Sequence, residues 1–164
     1  DQASGRPALG ISTDQGRAGV RLANLTHAAG LSSTGDPALD ARLPFPERYD
    51  LPASTVHVIR STRSEGRRII AVGTTVLRAL EGCAVRHGGE LVPGQGTTDL
   101  RIDRAYEPQI VDALLTGLHE AGTSHRALLG AFAPEELLAR AWAHAEAGGY
   151  LGHEFGDACL VLAP

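Results

Sequence analysis

We predict from the sequence an α/β domain whose mixed, largely buried sheet is flanked by helices. Two short apolar runs, 69–72 and 158–162, have the length of buried strands. Amphipathic stretches with helical periodicity lie between and around such runs. The length of 164 residues fits one domain with its own hydrophobic core.

The first third of the chain predicts one strand and one helix separated by a long loop. Residues 1–18 are rich in Gly, Ser, Asp and Gln, so we expect a loose lead-in. Val20–His27 alternates in polarity and predicts a strand. Ala28–Pro46 is punctuated by glycines and prolines and predicts a loop, and Ala53–Glu65, which follows Pro52, predicts a helix.

The most informative stretch is Arg67–Glu81, RRIIAVGTTVLRALE. Ile69–Val72 predicts a buried strand, Gly73 breaks it, and Thr74 offers a hydroxyl cap to an amphipathic helix. A strand that turns directly into a helix presents free backbone N–H groups, which attract a phosphate or carboxylate. An ordinary strand–helix joint with a threonine cap remains the alternative.

The second half continues the alternation of strands and helices. Glu90–Ile102, with glycines in its centre, predicts a strand, a tight loop and a strand, whereas Ile110–Leu118 suits a strand or a helix equally. Ser124–Phe132 and Pro134–Ala147 predict helices, the second with proline in its first turn. Ala158–Leu162 predicts a final strand.

Composition excludes several functional classes. All fifteen basic residues are Arg and the net charge is −4, which does not suit a protein that grips nucleic acid with its whole surface. No run reaches the roughly 20 apolar residues of a membrane span. The two cysteines lie far apart and predict reduced thiols, and we expect a cytoplasmic protein with no membrane partner. Because the chain contains no Met, we expect a segment of a longer protein.

Known cofactor motifs are absent from the sequence. It contains no dinucleotide fingerprint, P-loop or nucleophile elbow, and the scattered histidines do not have zinc-ligand spacing, so we expect no metal. Polar residues instead follow the apolar runs, where ligands collect in open α/β sheets. They are His27, Thr74, Thr75, Arg78, Thr97, Thr98, Asp99, Asp112, Thr116, His119 and Asp157. Each alone is equally compatible with a structural role, such as a turn cap or an ion pair.

Five motifs in order resemble one enzyme family. AVGTTVLRALE, GELVPGQGTTDLRI, VDALLTGLH, AFAPEELLARAW and FGDACLVL are similar to segments of S-adenosylmethionine:tRNA ribosyltransferase-isomerase, an enzyme of queuosine biosynthesis. The resemblance covers nearly the whole chain but only the C-terminal part of the family. It implies the family's α/β domain, S-adenosylmethionine as co-substrate and transfer RNA as partner.

The implied reaction moves the ribosyl part of S-adenosylmethionine onto the aminomethyl group of a 7-deazaguanine base and isomerises it. Adenine and methionine leave. The reaction needs a base beside the sulfonium, hydrogen-bond donors for the leaving adenine, and a dry pocket for two substrates. It needs no metal.

The resemblance also assigns roles to residues of this chain. His119, Asp157 and Asp112 become the candidate catalytic residues, with His119 or Asp157 handling protons. The candidate binding residues are His27, Gly73, Thr74, Thr75, Arg78, Gly96, Thr98, Asp99 and Thr116. Thr74 and Thr75 with the helix start would hold a carboxylate or phosphate, and Arg78 would add positive charge.

The chain departs from the family pattern at several motif loops. Thr97 stands where the family prefers Trp, and Glu120, Ala121 and Gly122 replace a Leu-Pro-Lys stretch. Two alternatives to the family reaction therefore remain open. One is a diverged paralogue that uses S-adenosylmethionine on another acceptor, and the other is a non-catalytic binding module that retains the fold.

Overall fold

The computed structural model describes residues 19–28, 35–40, 42, 45–119, 123–152 and 156–163. Its strands are β1 Thr26–His27, β2 Glu47–Leu51, β3 Ile70–Val72, β4 Gly94–Thr98, β5 Ala113–Gly117 and β6 Ala158–Leu162. Its helices are α1 Pro37–Asp40, α2 Ala53–Ser64, α3 Thr74–Arg86, α4 Ser124–Leu128 and α5 Glu135–Ala147, with a 3₁₀ turn at Leu129–Ala131. The predicted lead-in over 1–18 lies outside the described residues.

The strands form two sheets of three strands each. In the first sheet the order is β1-β2-β4 and both pairs are antiparallel. In the second the order is β3-β5-β6, with β3 parallel and β6 antiparallel to β5. The predicted α/β class with mixed strand directions is confirmed, although the strands are divided between two sheets.

Helix α3 lies between the two sheets and carries much of the core. Leu77, Ala79, Cys83 and Ala84 on this helix are fully buried. The helix contacts β1 and β4 of the first sheet as well as β3 and β5 of the second. The helix, whose amphipathic pattern was predicted from the sequence, therefore packs against a sheet on each of two sides.

The first sheet differs most from the prediction. The predicted strand Val20–His27 is reduced to Thr26–His27, and β2 was not predicted at all. Residues of β2 alternate between the core and solvent, with Glu47, Tyr49 and Leu51 facing inward. A charged residue at a core position hid this strand from a search for apolar runs.

The glycine-rich segment GQGTT is the strand β4 itself, not a loop between two strands. Each of its five residues pairs with β2, and Gly96 lies opposite Tyr49. A side chain at position 96 would collide with the Tyr49 ring. Glycine therefore stands in this strand because an aromatic ring occupies the space over it, and the predicted strand–loop–strand is wrong.

The later elements match the prediction more closely. The ambiguous Ile110–Leu118 contains the strand β5, and β6 has the predicted bounds. The helix predicted over Ser124–Phe132 is a short α-helix followed by a 3₁₀ turn. Pro134 is the residue before α5, not a member of its first turn.

One face of the second sheet packs on the core and the other is open. Ala71, Leu114 and Val161 point inward and are buried. On the opposite face Ile70, Val72, Leu160 and Leu162 are 46% to 62% exposed. The prediction of a largely buried sheet thus holds for only one side of this sheet.

Candidate active site

The parallel strands β3 and β5 end side by side, and their ends define what we call the carboxyl edge. The N–H of Gly73, which follows β3, donates a hydrogen bond of 2.8 Å to the carbonyl oxygen of Leu115 in β5. Ala158 at the start of the antiparallel β6 pairs with Gly117 at the end of β5. Residues following β3 and β5 and preceding β6 therefore meet at this edge.

The start of α3 lies at the carboxyl edge and has no side-chain cap. Gly73 precedes the helix with φ of 94°, a conformation that glycine adopts at little cost. Thr74 is thus the first helical residue and not the predicted cap. The N–H of Leu77 donates a hydrogen bond of 3.3 Å to the carbonyl of Gly73. Among the described residues no side chain caps the earlier N–H groups of the first turn, which suits them to binding an anion.

One turn along α3, Arg78 takes part in a buried charged cluster. Its Nη1 lies 2.9 Å from Oε2 of Glu47, and its Nε donates 3.2 Å to the carbonyl of Leu100. The same Glu47 oxygen lies 3.2 Å from Nε2 of His27. The three side chains are 5% to 12% exposed, so β1, β2 and α3 hold them out of water.

The cluster favours the neutral form of His27, and it contains nitrogen atoms that can form hydrogen bonds to a ligand. Burial lowers the pKa of His27, and Arg78 lowers it further, while Glu47 acts in the opposite direction. Within the described part of the chain, His27 Nδ1 and Arg78 Nη2 are buried without a hydrogen-bond partner. Buried polar atoms are normally paired, so both atoms are candidates for contact with a ligand.

A second group of side chains surrounds Thr116 and His119 at the end of β5. Thr116 Oγ1 and His119 Nε2 form a hydrogen bond of 2.7 Å. The His119 ring stacks on the His125 ring, with 5.0 Å between their centroids. The backbone carbonyl of His119 accepts a hydrogen bond of 2.7 Å from Trp142 Nε1. Burial, with a smaller contribution from His125, lowers the pKa of His119.

Arg126, which was not selected from the sequence, contacts a member of this second group. Its guanidinium lies 4.6 Å over the Trp142 ring, and Nη2 bonds Glu135 at 2.9 Å. The residue is buried, which is uncommon for arginine. Arg126 is therefore linked to this group through Trp142, whose Nε1 donates to the His119 carbonyl.

Asp157 lies at the carboxyl edge but is already engaged. Its Oδ2 accepts 2.8 Å from the N–H of Leu151, and its own N–H donates 2.8 Å to the Leu151 carbonyl. The side chain is exposed. Its position agrees with a site at this edge, while its hydrogen bonds give it a local structural function.

Asp112 lies at the opposite end of β5 from His119. Its Oδ2 accepts 2.7 Å from the N–H of Ile69, and its carbonyl accepts 3.0 Å from the N–H of Ala163. The five residues of β5 span roughly 16 Å. Asp112 therefore lies at a distance from His119 and fixes the other ends of the strands, while its catalytic role stays a prediction.

Most of the candidate site residues in and directly after β4 are packed against other parts of the protein. Gly96 lies under the Tyr49 ring, and Thr98 is buried against Gly82. Thr98 Oγ1 also accepts 3.1 Å from the N–H of Leu100. Asp99 is exposed. Of these residues only Asp99 offers a side chain that protein contacts do not enclose.

Two buried glutamates were missed as site-forming residues. Glu47 joins Arg78 and His27, and the alternating pattern of ERYDL indicates only that its side chain faces the core. Glu81 on α3 is fully buried. It accepts from Tyr106 Oη at 2.8 Å and from the N–H groups of Gln109, Ile110 and Val111 at 2.9 to 3.0 Å. Glu81 thus fixes the segment before β5.

A groove of about 610 Å³ approaches the carboxyl edge from the open face of the second sheet. Residues 19–25 and α2 form one wall, and Val72, Val76 and Leu115 lie at its other side. A second concavity, of about 550 Å³, is formed by β2, β4 and Arg86 on the outer side of the first sheet. Only the first reaches the start of α3.

No metal centre is evident among the described residues, which contain no grouping of three His, Cys, Asp or Glu side chains able to hold an ion. Among the same residues, no helix has the length and apolar character needed to cross a membrane.

Comparison with known proteins gives a consistent result. Residues 13–161 match the family model described as queuosine biosynthesis protein. The S-adenosylmethionine:tRNA ribosyltransferase-isomerase of Acaryochloris marina is 42% identical over 147 residues, which are 88% of this chain and 39% of that protein. The enzyme of the same name from Aromatoleum aromaticum is 46% identical over 115 residues, 70% of this chain and 33% of that protein.

A solved structure is also similar. The crystal structure of S-adenosylmethionine tRNA ribosyltransferase from Thermotoga maritima superposes with a TM-score of 0.73 at 33% identity. The match covers 91% of this chain and 47% of that one. The chain therefore spans less than half the length of the relatives it matches.

Proposed function

The chain belongs to the queuosine biosynthesis protein family, and from this premise we propose that it forms part of a transfer-RNA-modifying active site. The reaction transfers the ribosyl moiety of S-adenosylmethionine to a 7-aminomethyl-7-deazaguanine base and isomerises it, with loss of adenine and methionine. The names of the similar enzymes support this assignment. A transfer RNA substrate places the reaction in the cytoplasm.

The observation that carries the proposal is the convergence of two polar groups at the carboxyl edge. The Gly73–Leu115 hydrogen bond brings the start of α3 next to the end of β5. Helix α3 carries Arg78 of the buried charged cluster, and the Thr116–His119 pair lies at the end of β5. Ligands in open α/β sheets bind at such strand ends.

The start of α3 and Arg78 are suited to an anionic part of a substrate. The N–H groups at the start of α3 carry partial positive charge, and Arg78 Nη2 has no hydrogen-bond partner in the described part of the chain. We assign Gly73, Thr74, Thr75 and Arg78 to binding the carboxylate of S-adenosylmethionine or a phosphate of the RNA.

The Thr116–His119 pair is suited to a neutral, hydrogen-bonding part of a substrate. Because the pKa of His119 is lowered, its ring is neutral near pH 7 and offers one donor and one acceptor. Adenine presents the complementary pattern of ring nitrogens and an amino group. We assign Thr116 and His119 to the leaving adenine, with Asp157 and Asp99 at the exposed margin of the site.

The direct test is release of adenine from S-adenosylmethionine, measured by chromatography with and without substrate transfer RNA. The protein is the longest natural polypeptide that contains this chain. Two variants accompany it, His119→Asn and, as the matched control, His57→Asn, whose histidine is exposed on α2. We expect release that depends on transfer RNA, a fall of about 10²-fold or more in His119→Asn, and no change in the control.

Other outcomes separate the alternatives. Release that is independent of transfer RNA, or that requires a different acceptor, would identify a diverged enzyme. The absence of both release and S-adenosylmethionine binding would overturn the proposal and leave a binding module with this fold.

A further inference from the structure

We propose that His27 is the base that removes the proton beside the sulfonium, and that Glu47 positions it for this step. The inference rests on the proposed function and goes further by naming the base. Neither residue was assigned a role in proton transfer by sequence reasoning.

The geometry of the pair is that of an oriented base. One ring nitrogen of His27, Nε2, lies 3.2 Å from the carboxylate of Glu47. Both ring nitrogens are buried, and neither makes a hydrogen bond in the described part of the chain, so Nε2 is in ion-pair contact with Glu47. A carboxylate close to Nε2 favours the ring proton on that nitrogen, which leaves Nδ1 to accept a proton from the substrate.

Glu47 is itself held firmly. Arg78 Nη1 contacts the same carboxylate oxygen at 2.9 Å, and the Arg78 Nε bond to the Leu100 carbonyl fixes the guanidinium. Because Arg78 lies one turn from Thr74, the cluster is adjacent to the anion-binding start of α3. A substrate carboxylate bound there brings the rest of that substrate close to His27.

His119, the other candidate, is less free to act as a base. Its Nε2 is engaged by Thr116 at 2.7 Å, its ring is stacked on His125, and its carbonyl is bonded to Trp142. These contacts fix His119 for recognition. Of the two histidines with lowered pKa, only His27 has a carboxylate against one nitrogen and an unpartnered second nitrogen.

The charged groups facing the His27 ring are Glu47 from β2 and Arg78 from α3. Arg78 and burial keep the ring neutral before the reaction, whereas Glu47 stabilises the imidazolium once it forms. A general base near neutral pH must be unprotonated before the reaction and stabilised once it is protonated, and these groups favour both states.

The step is balanced in atoms and electrons. The C–H bond beside the sulfonium breaks, its electron pair stays on carbon next to the positive sulfur, and a new N–H bond forms at His27 Nδ1. Adenine later leaves with the electron pair of its bond to the sugar and requires one proton. The imidazolium can return that proton and regenerate neutral His27.

The test compares four variants of the longest natural polypeptide in adenine release, S-adenosylmethionine affinity and pH–rate profile. The variants are His27→Gln, Glu47→Gln, and two controls, His57→Gln on α2 and Asp50→Asn, an exposed neighbour on β2. We expect His27→Gln to lose about 10²- to 10⁴-fold in release while affinity changes little. The controls are expected to match the wild type.

The positioning role of Glu47 has its own signature in the pH profile. Since Glu47 raises the pKa of His27, Glu47→Gln lowers it further, and the acid limb of the profile moves to lower pH with a reduced maximal rate. Lost packing alone would lower the rate without moving the limb. Circular dichroism shows whether each variant is folded. If Glu47→Gln does not fold, adenine release by His27→Gln tests the role of His27 as the base.

The outcomes distinguish the inference from the proposed function. Wild-type release together with unchanged release in His27→Gln would overturn the role of His27 alone. No release by the wild type would overturn the proposed function, and the inference with it.

Discussion

Gly82 on α3 lies directly against the side chain of Thr98 on β4, with no room for a Cβ atom between them. Both residues are buried, and the contact joins the central helix to the first sheet. Glycine inside a helix normally costs about 1 kcal/mol relative to alanine. At this position the close approach of helix and strand accounts for its presence.

We therefore expect Gly82→Ala to destabilise the protein despite the better helix propensity of alanine. Forcing a methyl group into a filled space costs typically about 1–3 kcal/mol, and here it would separate α3 from β4. Urea unfolding followed by circular dichroism measures the change in the free energy of unfolding. Val85→Ala, at an exposed position of the same helix, is the control, and an equal or greater stability of Gly82→Ala would contradict the expectation.

Glu81→Gln tests the buried carboxylate that fixes the segment before β5. Glu81 accepts four hydrogen bonds, one from Tyr106 Oη and three from backbone N–H groups. Glutamine replaces one acceptor oxygen by an amino group, which would face N–H donors. We expect a loss of about 2–4 kcal/mol in the free energy of unfolding.

The same urea experiment measures this loss, and Glu90→Gln supplies the matched control. Glu90 is exposed, and its ion pair with Arg60 at 3.4 Å is exposed as well, so we expect a change below about 0.5 kcal/mol. If the two variants were equally stable, the hydrogen bonds of Glu81 would not contribute as the geometry indicates.

Stability is expected to fall on mild acidification because two buried histidines resist protonation. The pKa values of His27 and His119 are both lowered, in each case mainly by burial. In the unfolded chain both titrate near the ordinary value of about 6.5. Their contribution is complete above that pH and is lost as the pH falls from about 6.5 through the lowered folded values, since the unfolded state takes up protons first.

Unfolding free energies at pH 7.5 and pH 5.5 test this expectation. Hydrogen bonds from Arg21 and Ser61 lower the pKa of Glu65, so this carboxyl group affects stability only at more acidic pH than the histidines. His119→Asn is expected to show a smaller difference between the two pH values than the wild type. The exposed-histidine variant His57→Asn is expected to keep the full difference, and a pH-independent wild type would refute the assignment.

The elements that the sequence predicted correctly are those in which local pattern and tertiary environment agree. Ile70–Val72 is apolar and ends at a glycine, and β6 is an uninterrupted apolar run. The strands β2 and β4 could not be found this way. In β2 a core position is taken by Glu47, whose charge is compensated by Arg78 from a distant helix, and β4 contains glycine where the Tyr49 ring packs.

Part of the candidate site was predicted from the sequence, because those residues follow strands that have a clear apolar pattern. Thr74, Thr116 and His119 follow or end predicted strands and lie along the carboxyl edge, whereas Arg78 lies one turn further along α3 and contacts the first sheet. Asp112 was misplaced because the ambiguous segment around it hid which end of β5 it occupies. Glu47 has no local signal of function, since its role arises only when β1, β2 and α3 are brought together.

The position of α3 between the two sheets has a consequence for cooperativity. Neither sheet packs directly on a complete core of its own, because both use the same buried helix. Opening one sheet removes the support of the other, so we expect the two sheets to exchange their amide hydrogens with solvent as one unit. An anion bound at the start of α3 would then slow exchange in β1, β2 and β4 as much as in β3 and β5.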